Sequence, residues 1–251
     1  MKQSQGRIFT THTGSLPRPD ELVQLLAAVA RGESVDQSAL ERLADESTLD
    51  VIRKQGAAGI DVVNSGEQSR VSFSTYVTQR MSGFGGSWTR RGLKDQNEFP
   101  GIARPRAVQL MRDMPQCTGP LEYQRPDLAE RELDGLVNGV NETGSAHKDL
   151  FMSAASPGII ALTLGNAPYA SHEEYVMALA EEMRKEYEII TNQEVVLQLD
   201  CPDLAMERHV TYQDEPLQAF QEVVALHIAA INHAIRNIPR EQVRLHVCWG
   251  N

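Results

Sequence analysis

The sequence predicts an α/β domain built from parallel βα units, and two observations carry this prediction. Short apolar, β-branched runs alternate with amphipathic helical stretches, and each run ends in small or polar residues typical of a turn. The chain has 251 residues, of which 41% are hydrophobic and 23% charged, a composition typical of a folded domain rather than a disordered one. An α/β barrel uses a chain of this length as one domain, so we expect a single domain over residues 1–251.

Net charge, apolar runs and cysteine content indicate which partners and which cellular compartment to expect. The chain carries 24 Lys and Arg residues against 34 Asp and Glu residues, a formal net charge of -10, so nucleic acid and anionic membranes are poor partners. The chain starts without the apolar segment of a secretion signal, and no apolar run approaches the roughly 20 residues that span a bilayer. Cys117, Cys201 and Cys248 are far apart and odd in number, which indicates a reducing compartment. We therefore expect a cytoplasmic protein.

The first part of the chain predicts one strand followed by two helices. The strand covers residues 8–13 and leads into the turn GSLPRP. The first helix carries an apolar face and ends before Gly32. The second helix begins near Asp36, a residue type favoured at the N-cap, and ends at Gly56, as a C-terminal glycine favours.

The next apolar run, residues 60–63, predicts a second strand that ends in the turn NSGEQSR. Residues 72–101 are rich in Gly, Ser and charged residues and predict a long loop or an insertion. Long loops in compact domains usually cover or bind a ligand, so this one is a candidate substrate cover. The GFGG run at residues 83–86 lacks the strand-to-helix setting of a phosphate-binding loop, and we interpret it as a hinge.

The middle of the chain continues the same alternation. A third strand is predicted at residues 117–123, a helix at residues 127–142 and a fourth strand at residues 150–153. A clearer helix follows Ser171, because Ser171 and Glu174 have the spacing of a capping box and apolar residues recur along one face.

The last part of the chain predicts two strands around another amphipathic helix. An apolar strand covers residues 195–199 and ends at Asp200, a helix covers residues 217–235, and the last strand is RLHVC at residues 244–248. A closed (β/α)8 barrel needs eight strands, whereas the sequence predicts about six. Either the pattern misses two strands in the middle of the chain, or the chain stops before the barrel closes. The absence of a helix after the sixth strand favours the second, so we expect a truncated barrel.

Polar residues recur immediately after these apolar runs. In a parallel barrel the carboxyl ends of the strands lie on one rim, and active sites are built there. Turns also favour polar residues, so any one of these positions taken alone has a structural explanation. Together they form a candidate site that consists of His12, Ser15, Glu67, Asp200, His246 and Cys248.

His246 and Cys248 are chemically the most specific pair in this set. Side chains at positions i and i+2 of a strand point to the same face, so an imidazole and a thiolate at this spacing can share one metal ion, and zinc fits best. A buried cysteine beside a core histidine is the alternative. Catalytic zinc takes about three protein ligands, so another residue is needed. The remaining candidates, none with a spacing that singles it out, are His12, Glu67, Cys117 and Cys201.

Glu67 and Asp200 are carboxylates at the ends of two predicted strands. Paired carboxylates of this kind hold the ammonium group of an amino-acid ligand through charge-assisted hydrogen bonds, and Asp200 can also act as a base. Each one taken singly is equally explained as a helix N-cap or a first-turn residue that faces the positive end of a helix.

Four motifs resemble the cobalamin-independent methionine synthase superfamily, specifically its C-terminal catalytic barrel and the single-domain relatives of that barrel. TTHTGSLPRP resembles the opening strand and turn, and GIDVVNSGEQSR resembles the second strand with its Gly-Glu turn. VVLQLDCPDLAMER resembles the aspartate strand, and RLHVCWGN resembles the zinc-binding H-x-C strand. The motifs occur in the family's order and span nearly the whole chain, so the set is more specific than any single motif.

The resemblance implies a TIM (β/α)8 barrel of the methionine-synthase type and a zinc-dependent methyltransferase. The implied reaction moves a methyl group from 5-methyltetrahydrofolate, or its polyglutamate form, to the thiol of homocysteine and gives methionine. Position by position, it implies that His246 and Cys248 bind zinc. It further implies that Glu67 and Asp200 hold the amino-acid part of the thiol substrate, and that Ser15 contacts its carboxylate. His12 lies on the same rim as a further substrate-binding candidate.

The sequence also departs from the family's pattern. Cys201 stands where the family has an acidic residue after the aspartate, and SAASPGIIALTLGN lacks the tryptophan of the folate-contacting segment. Transfer of another alkyl group to another thiol, as in epoxyalkane:coenzyme M transferases, is therefore an alternative. The family's remaining zinc ligands lie on strands after H-x-C. The truncated barrel that we expect would lack those strands. A second alternative is therefore a non-catalytic truncated barrel that serves as a binding or assembly module and self-associates through its open edge.

Overall fold

The computed structural model describes residues 2–99, 101, 114–144 and 146–248, without the side chains of residues 96 and 97. The end of the fourth motif, residues 249–251, lies outside the described part. The helices are α1 (Asp20–Ala30), α2 (Gln37–Ala57), α3 (Val77–Arg80), α4 (Lys94–Glu98), α5 (Pro126–Thr143), α6 (Pro157–Thr163), α7 (His172–Thr191) and α8 (Leu217–Ala234). The strands are β1 (Val62–Val63), β2 (Met81–Trp88), β3 (Met114–Tyr123), β4 (Asp149–Ala155), β5 (Gly165–Asn166), β6 (Val196–Asp200) and β7 (Val243–His246).

A four-stranded parallel sheet, in the order β1-β4-β6-β7, forms the centre of the fold. An isolated parallel bridge between Thr11 and Val62 places the first segment of the chain beside β1. The order in space therefore follows the order along the chain, and the carboxyl ends of these strands lie on one edge. The predicted α/β fold with a parallel sheet is confirmed. Closure into a barrel is not confirmed, because the described strands form two open sheets.

The prediction of a first strand at residues 8–13 is wrong, because this segment forms only an isolated bridge at Thr11. Ile8 is 87% exposed, so its apolar side chain does not enter the core. Asp61 holds this segment instead, because its carboxylate accepts hydrogen bonds from Arg7 Nη1 at 2.6 Å and from the Thr10 amide at 2.9 Å. Side-chain contacts rather than a strand ladder thus bring the first turn to the sheet edge.

The third predicted strand, residues 117–123, exists but lies outside the parallel sheet. As part of β3 it pairs antiparallel with β2 and parallel with β5 in a second sheet, in the order β2-β3-β5. Residues 72–101 are therefore not a long loop, since they contain α3, β2 and α4. The GFGG run at residues 83–86 lies within β2, and its interpretation as a hinge stays a prediction. Gly83 lies in β2 with φ 94°, and a Cβ there would lie 2.5 Å from the Pro120 carbonyl oxygen, so glycine permits the close approach of β2 and β3.

The predicted long helices are confirmed, together with the N-caps of two of them. The predicted stop of the second helix at Gly56 is wrong, because α2 continues through Ala57 and the left-handed glycine that follows it is Gly59. Asp36 accepts a hydrogen bond from the Ala39 amide at 3.1 Å, and Ser171 accepts one from the Glu174 amide at 3.1 Å. α7 packs against the parallel sheet, α5, α6 and α8, with one fully buried face. Each large apolar side chain on that face contributes about 1.5–3 kcal/mol through burial. In the described part of the chain, none of the helices combines the length and the apolar character of a membrane-spanning segment.

Alternation along β6 separates core residues from site residues. Leu197 and Leu199 point to the helices and belong to the main hydrophobic core. Gln198 and Asp200 point to the opposite face, because successive side chains of a strand alternate. His246 of β7 pairs with Asp200 in register and lies on that same face. The polar side chains therefore meet on the inner face of the sheet, at its carboxyl edge.

Candidate functional site

A cleft of about 220 Å³ opens at the carboxyl edge of the parallel sheet. Five of the six predicted site residues line it, whereas His12 is half-buried and not among the lining residues. The first turn, the turn after β1 and the segments after β6 and β7 all contribute. The lining residues are Thr13, Gly14, Ser15, Glu67, Phe73, Asp200, Pro202, Met206, His246 and Cys248.

Glu67 follows β1 in a turn with unusual backbone geometry. Gly66 and Glu67 have φ angles of 65° and 54°, and the Gly66 amide donates to Asn64 Oδ1 at 2.6 Å. A left-handed conformation costs a residue other than glycine about 1–3 kcal/mol and is typical of functional sites. The buried carboxylate of Glu67 accepts hydrogen bonds from Ser15 Oγ and, at 2.6 Å, from Ser153 Oγ. Both of its oxygens are therefore fixed beside the cleft.

Gly14 makes room for this carboxylate. A Cβ at Gly14 would lie 2.6 Å from Glu67 Oε1, which Ser153 holds in place. Gly14→Ala is expected to lower the free energy of unfolding by about 1–3 kcal/mol, because overpacking forces the carboxylate out of its hydrogen bonds. Urea denaturation checks this, with Gly119→Ala as control, since a Cβ at Gly119 meets nothing within 4 Å. Equal unfolding free energies for the two variants would contradict the prediction.

Asp200 is the second carboxylate of the cleft and ends β6. Its burial, followed by the negative charge of Glu67, raises the pKa of Asp200 to about 6. Asp200 Oδ1 accepts a hydrogen bond from Gln198 Nε2 at 2.8 Å and lies 3.1 Å from His246 Nδ1. Two neighbouring carboxylates in a buried setting favour a cationic ligand, because a cation relieves their mutual repulsion.

His246 is the last residue of β7, Cys248 follows two residues later, and both line the cleft. The contact of His246 Nδ1 with Asp200 leaves Nε2 as the second ring nitrogen, the arrangement that orients many metal-binding histidines. Imidazole and thiolate are the donors that zinc prefers. Among the described residues, however, no group of three or more His, Cys, Asp and Glu side chains is arranged to hold a metal ion. The pair fits zinc as a partial ligand set.

The loop after β6 is anchored by buried charged residues that the sequence did not single out. Asp203 accepts a hydrogen bond from Ser156 Oγ at 2.7 Å and lies 2.8 Å from His227 Nδ1. Glu207 in the same loop pairs with Arg90 and is fully buried. These contacts fix a loop that supplies two apolar residues of the cleft wall. Their only sequence signal was the acidic content of CPDLAMER.

A buried ion network lies behind Glu67 and was also missed. Arg70 Nε lies 2.9 Å, and Arg80 Nη2 2.7 Å, from the same Glu132 oxygen. Arg80 Nη1 lies 3.0 Å from Glu186 Oε2, at an angle that does not make a hydrogen bond. The ring centroid of Tyr76 lies 4.3 Å from the guanidinium carbon of Arg70 and 4.6 Å from that of Arg80, and the Tyr76 hydroxyl donates to Glu186. Burial disfavours the charge of Arg80, but the two glutamates more than offset this, so the pKa of Arg80 is raised.

The chain is similar in sequence to archaeal proteins named methionine synthase, while no family profile matches it. It is 27% identical over 242 residues to the protein from Sulfolobus acidocaldarius, which covers 96% of this chain and 61% of that protein. It is 27% identical over 243 residues to the protein from Pyrococcus furiosus, of which it covers 62%. The chain thus spans about three fifths of the curated relatives that it matches.

Solved structures show the same fold. A B12-independent methionine synthase from Shewanella sp. W3-18-1, in complex with selenomethionine, matches 96% of this chain and 61% of its own with a TM-score of 0.66 and 21% identity. A Listeria monocytogenes protein assigned as a vitamin B12-independent methionine synthase matches 99% of this chain and 67% of its own, with a TM-score of 0.61 and 16% identity. The resemblance to the cobalamin-independent methionine synthases that the four motifs predict is confirmed by these relatives in sequence and fold.

Proposed function

We propose that the chain forms the homocysteine-binding part of a zinc-dependent cytoplasmic methyltransferase that makes methionine. The methyl donor in this proposal is 5-methyltetrahydrofolate or its polyglutamate form. One observation carries the proposal: two buried carboxylates, Glu67 and Asp200, share a small cleft with His246 and Cys248. The single barrel domain over residues 1–251 and self-association through an open barrel edge stay predictions.

The carboxylates supply recognition of the amino-acid end. Burial and, after it, repulsion from Glu67 raise the pKa of Asp200, and a homocysteine ammonium group placed between the two carboxylates would neutralise that repulsion. Its bonds to a carboxylate are charge-assisted and stronger than those between neutral groups. Ser15 donates to Glu67 from the cleft wall, and its neighbouring amides lie in the turn where the substrate carboxylate would bind.

The opposite side of the cleft supplies the reacting end. His246 and Cys248 would hold zinc together with a ligand beyond the described residues. A zinc ion held by these residues would supply the Lewis acidity that lowers the pKa of a substrate thiol and favours its nucleophilic thiolate form at neutral pH. Asp200 orients His246 through Nδ1, and the apolar side chains of Phe73 and Met206 limit water at the sulfur.

The transfer itself needs little further chemistry from the chain. The substrate sulfur forms a bond to the methyl carbon, and the bond from that carbon to the donor nitrogen breaks. The electron pair stays on the nitrogen, which takes up a proton. The chain contributes by holding the sulfur and the ammonium group in fixed positions, because positioning converts a bimolecular encounter into an effectively unimolecular step.

Glu67→Gln tests this assignment of the ammonium site. The variant is expected to weaken homocysteine binding by about 30-fold or more, since loss of one partner of a buried charge pair costs about 2–5 kcal/mol. Isothermal titration calorimetry measures the Kd, with the exposed Glu130→Gln as a control of equal charge change. An unchanged Kd in Glu67→Gln, or a wild-type chain that does not bind homocysteine, would contradict the proposed function.

A further inference from the structure

Arg18, in the turn GSLPRP, lies outside the cleft wall but contacts the backbone of the Glu67 turn. Its Nη2 donates to the Glu67 carbonyl oxygen at 2.6 Å and to the Arg70 carbonyl oxygen at 3.2 Å. Its Nε donates to the Gln68 carbonyl oxygen at 3.4 Å. One half-buried guanidinium group therefore binds three carbonyl oxygens within four consecutive residues.

Further hydrogen bonds dock the two turns on each other. The Leu16 amide donates to the Gly66 carbonyl oxygen at 3.0 Å, and Gln68 Nε2 donates to the Leu16 carbonyl oxygen at 3.1 Å. At the cleft side of the same contact, Ser15 Oγ donates to the Glu67 carboxylate. Both ends of Glu67 are thus held by the first turn, its carboxylate by Ser15 and its carbonyl group by Arg18.

The backbone of Glu67 needs such support. Its φ angle of 54° follows a Gly66 φ angle of 65°, so two left-handed residues stand in succession, and only the first is a glycine. Strained conformations of this kind persist where the surroundings over-determine them. A relaxed Glu67 backbone would swing the carboxylate away from Ser15 and Ser153.

We propose that Arg18 is a positioning residue for ammonium recognition: it holds the Glu67 turn in the left-handed conformation that aims the carboxylate into the cleft. This inference rests on the proposed function. An arginine suits the task because its planar fork presents several donors at fixed angles, whereas lysine offers one compact ammonium group. Arg18 acts through Glu67 and does not itself line the cleft.

The test compares two ligands that differ only in the ammonium group. Homocysteine and 4-mercaptobutyrate have the same thiol, chain length and carboxylate. Arg18→Met is expected to raise the Kd of homocysteine at least 10-fold and to leave the Kd of 4-mercaptobutyrate within twofold of the wild type. Arg18→Lys is expected to have a homocysteine Kd between those of the wild type and Arg18→Met. It serves as the test variant if Arg18→Met does not fold.

Arg31→Met is the control of equal charge change. Arg31 pairs with Glu33 after the end of α1 and does not line the cleft, so its loss removes an equal charge away from the ammonium site. We expect this variant to bind both ligands as the wild type does. Equal weakening of both ligands in Arg18→Met would show a general structural role and overturn the inference, as would unchanged homocysteine binding. A wild-type chain with no preference for homocysteine over 4-mercaptobutyrate would instead refute the proposed function, and the inference with it.

Discussion

Cys248→Ser is expected to remove bound zinc from the chain and to lower methyl transfer by about 100-fold or more. His246 and Cys248 are the nitrogen and sulfur donors of the cleft, so serine replaces one of very few ligands with a hydroxyl group that zinc binds poorly. Metal content of the purified protein, measured by mass spectrometry after dialysis, gives the first readout. Methionine formation from homocysteine and methyltetrahydrofolate gives the second.

Cys201→Ser is the matched control for this prediction. Cys201 is fully buried, donates to the Leu199 carbonyl oxygen at 3.4 Å and does not line the cleft. Burial raises the pKa of the Cys201 thiol, which disfavours the thiolate form that binds metals. We expect the control to retain its zinc. Equal zinc content in Cys248→Ser and the wild type, or no zinc in a folded wild-type chain, would contradict the metal assignment.

The sequence predicted the long helices and β6 well, because their periodicity and caps are local properties. Ser171 caps α7 and β6 ends at Asp200, both as expected. The strand at residues 117–123 was also found, but its place in the parallel sheet was wrong. An apolar run does not encode its partner, since antiparallel pairing with β2 depends on contacts between residues distant in sequence. The segment at residues 8–13 has the local pattern of a strand, but that pattern does not show whether a neighbouring strand pairs with it, and only Thr11 forms a bridge.

The candidate site was predictable from one topological rule. Polar residues after parallel strands meet at one edge, and this rule brought together Ser15, Glu67, Asp200, His246 and Cys248. The supporting residues were not predictable in this way. Ser153 sits inside an apolar run with nothing to mark it as the partner of Glu67, and the role of Gly14 follows only from a distance to a side chain on another turn.

Arg80→Met is expected to lower the free energy of unfolding by about 3–5 kcal/mol, because it leaves buried carboxylates without their partner. Arg80 is 4% exposed and lies 2.7 Å from Glu132 and 3.0 Å from Glu186, which is fully buried. Arg70 still pairs with Glu132 in the variant, so Glu186 suffers the greater loss. Urea denaturation followed by circular dichroism measures the change.

Two further variants separate a charge effect from simple loss of packing. Arg125→Met removes an exposed ion pair with Asp127 and is expected to cost about 0–1 kcal/mol, as surface pairs do. The double variant Arg80→Met with Glu186→Gln is expected to recover part of the loss, because the amide removes the unpaired charge. One of the hydroxyl groups of Tyr76 and Tyr123 still donates to the amide oxygen, and the other accepts from the amide nitrogen. If the double variant is less stable than Arg80→Met alone, packing rather than the buried charge governs the stability of this network.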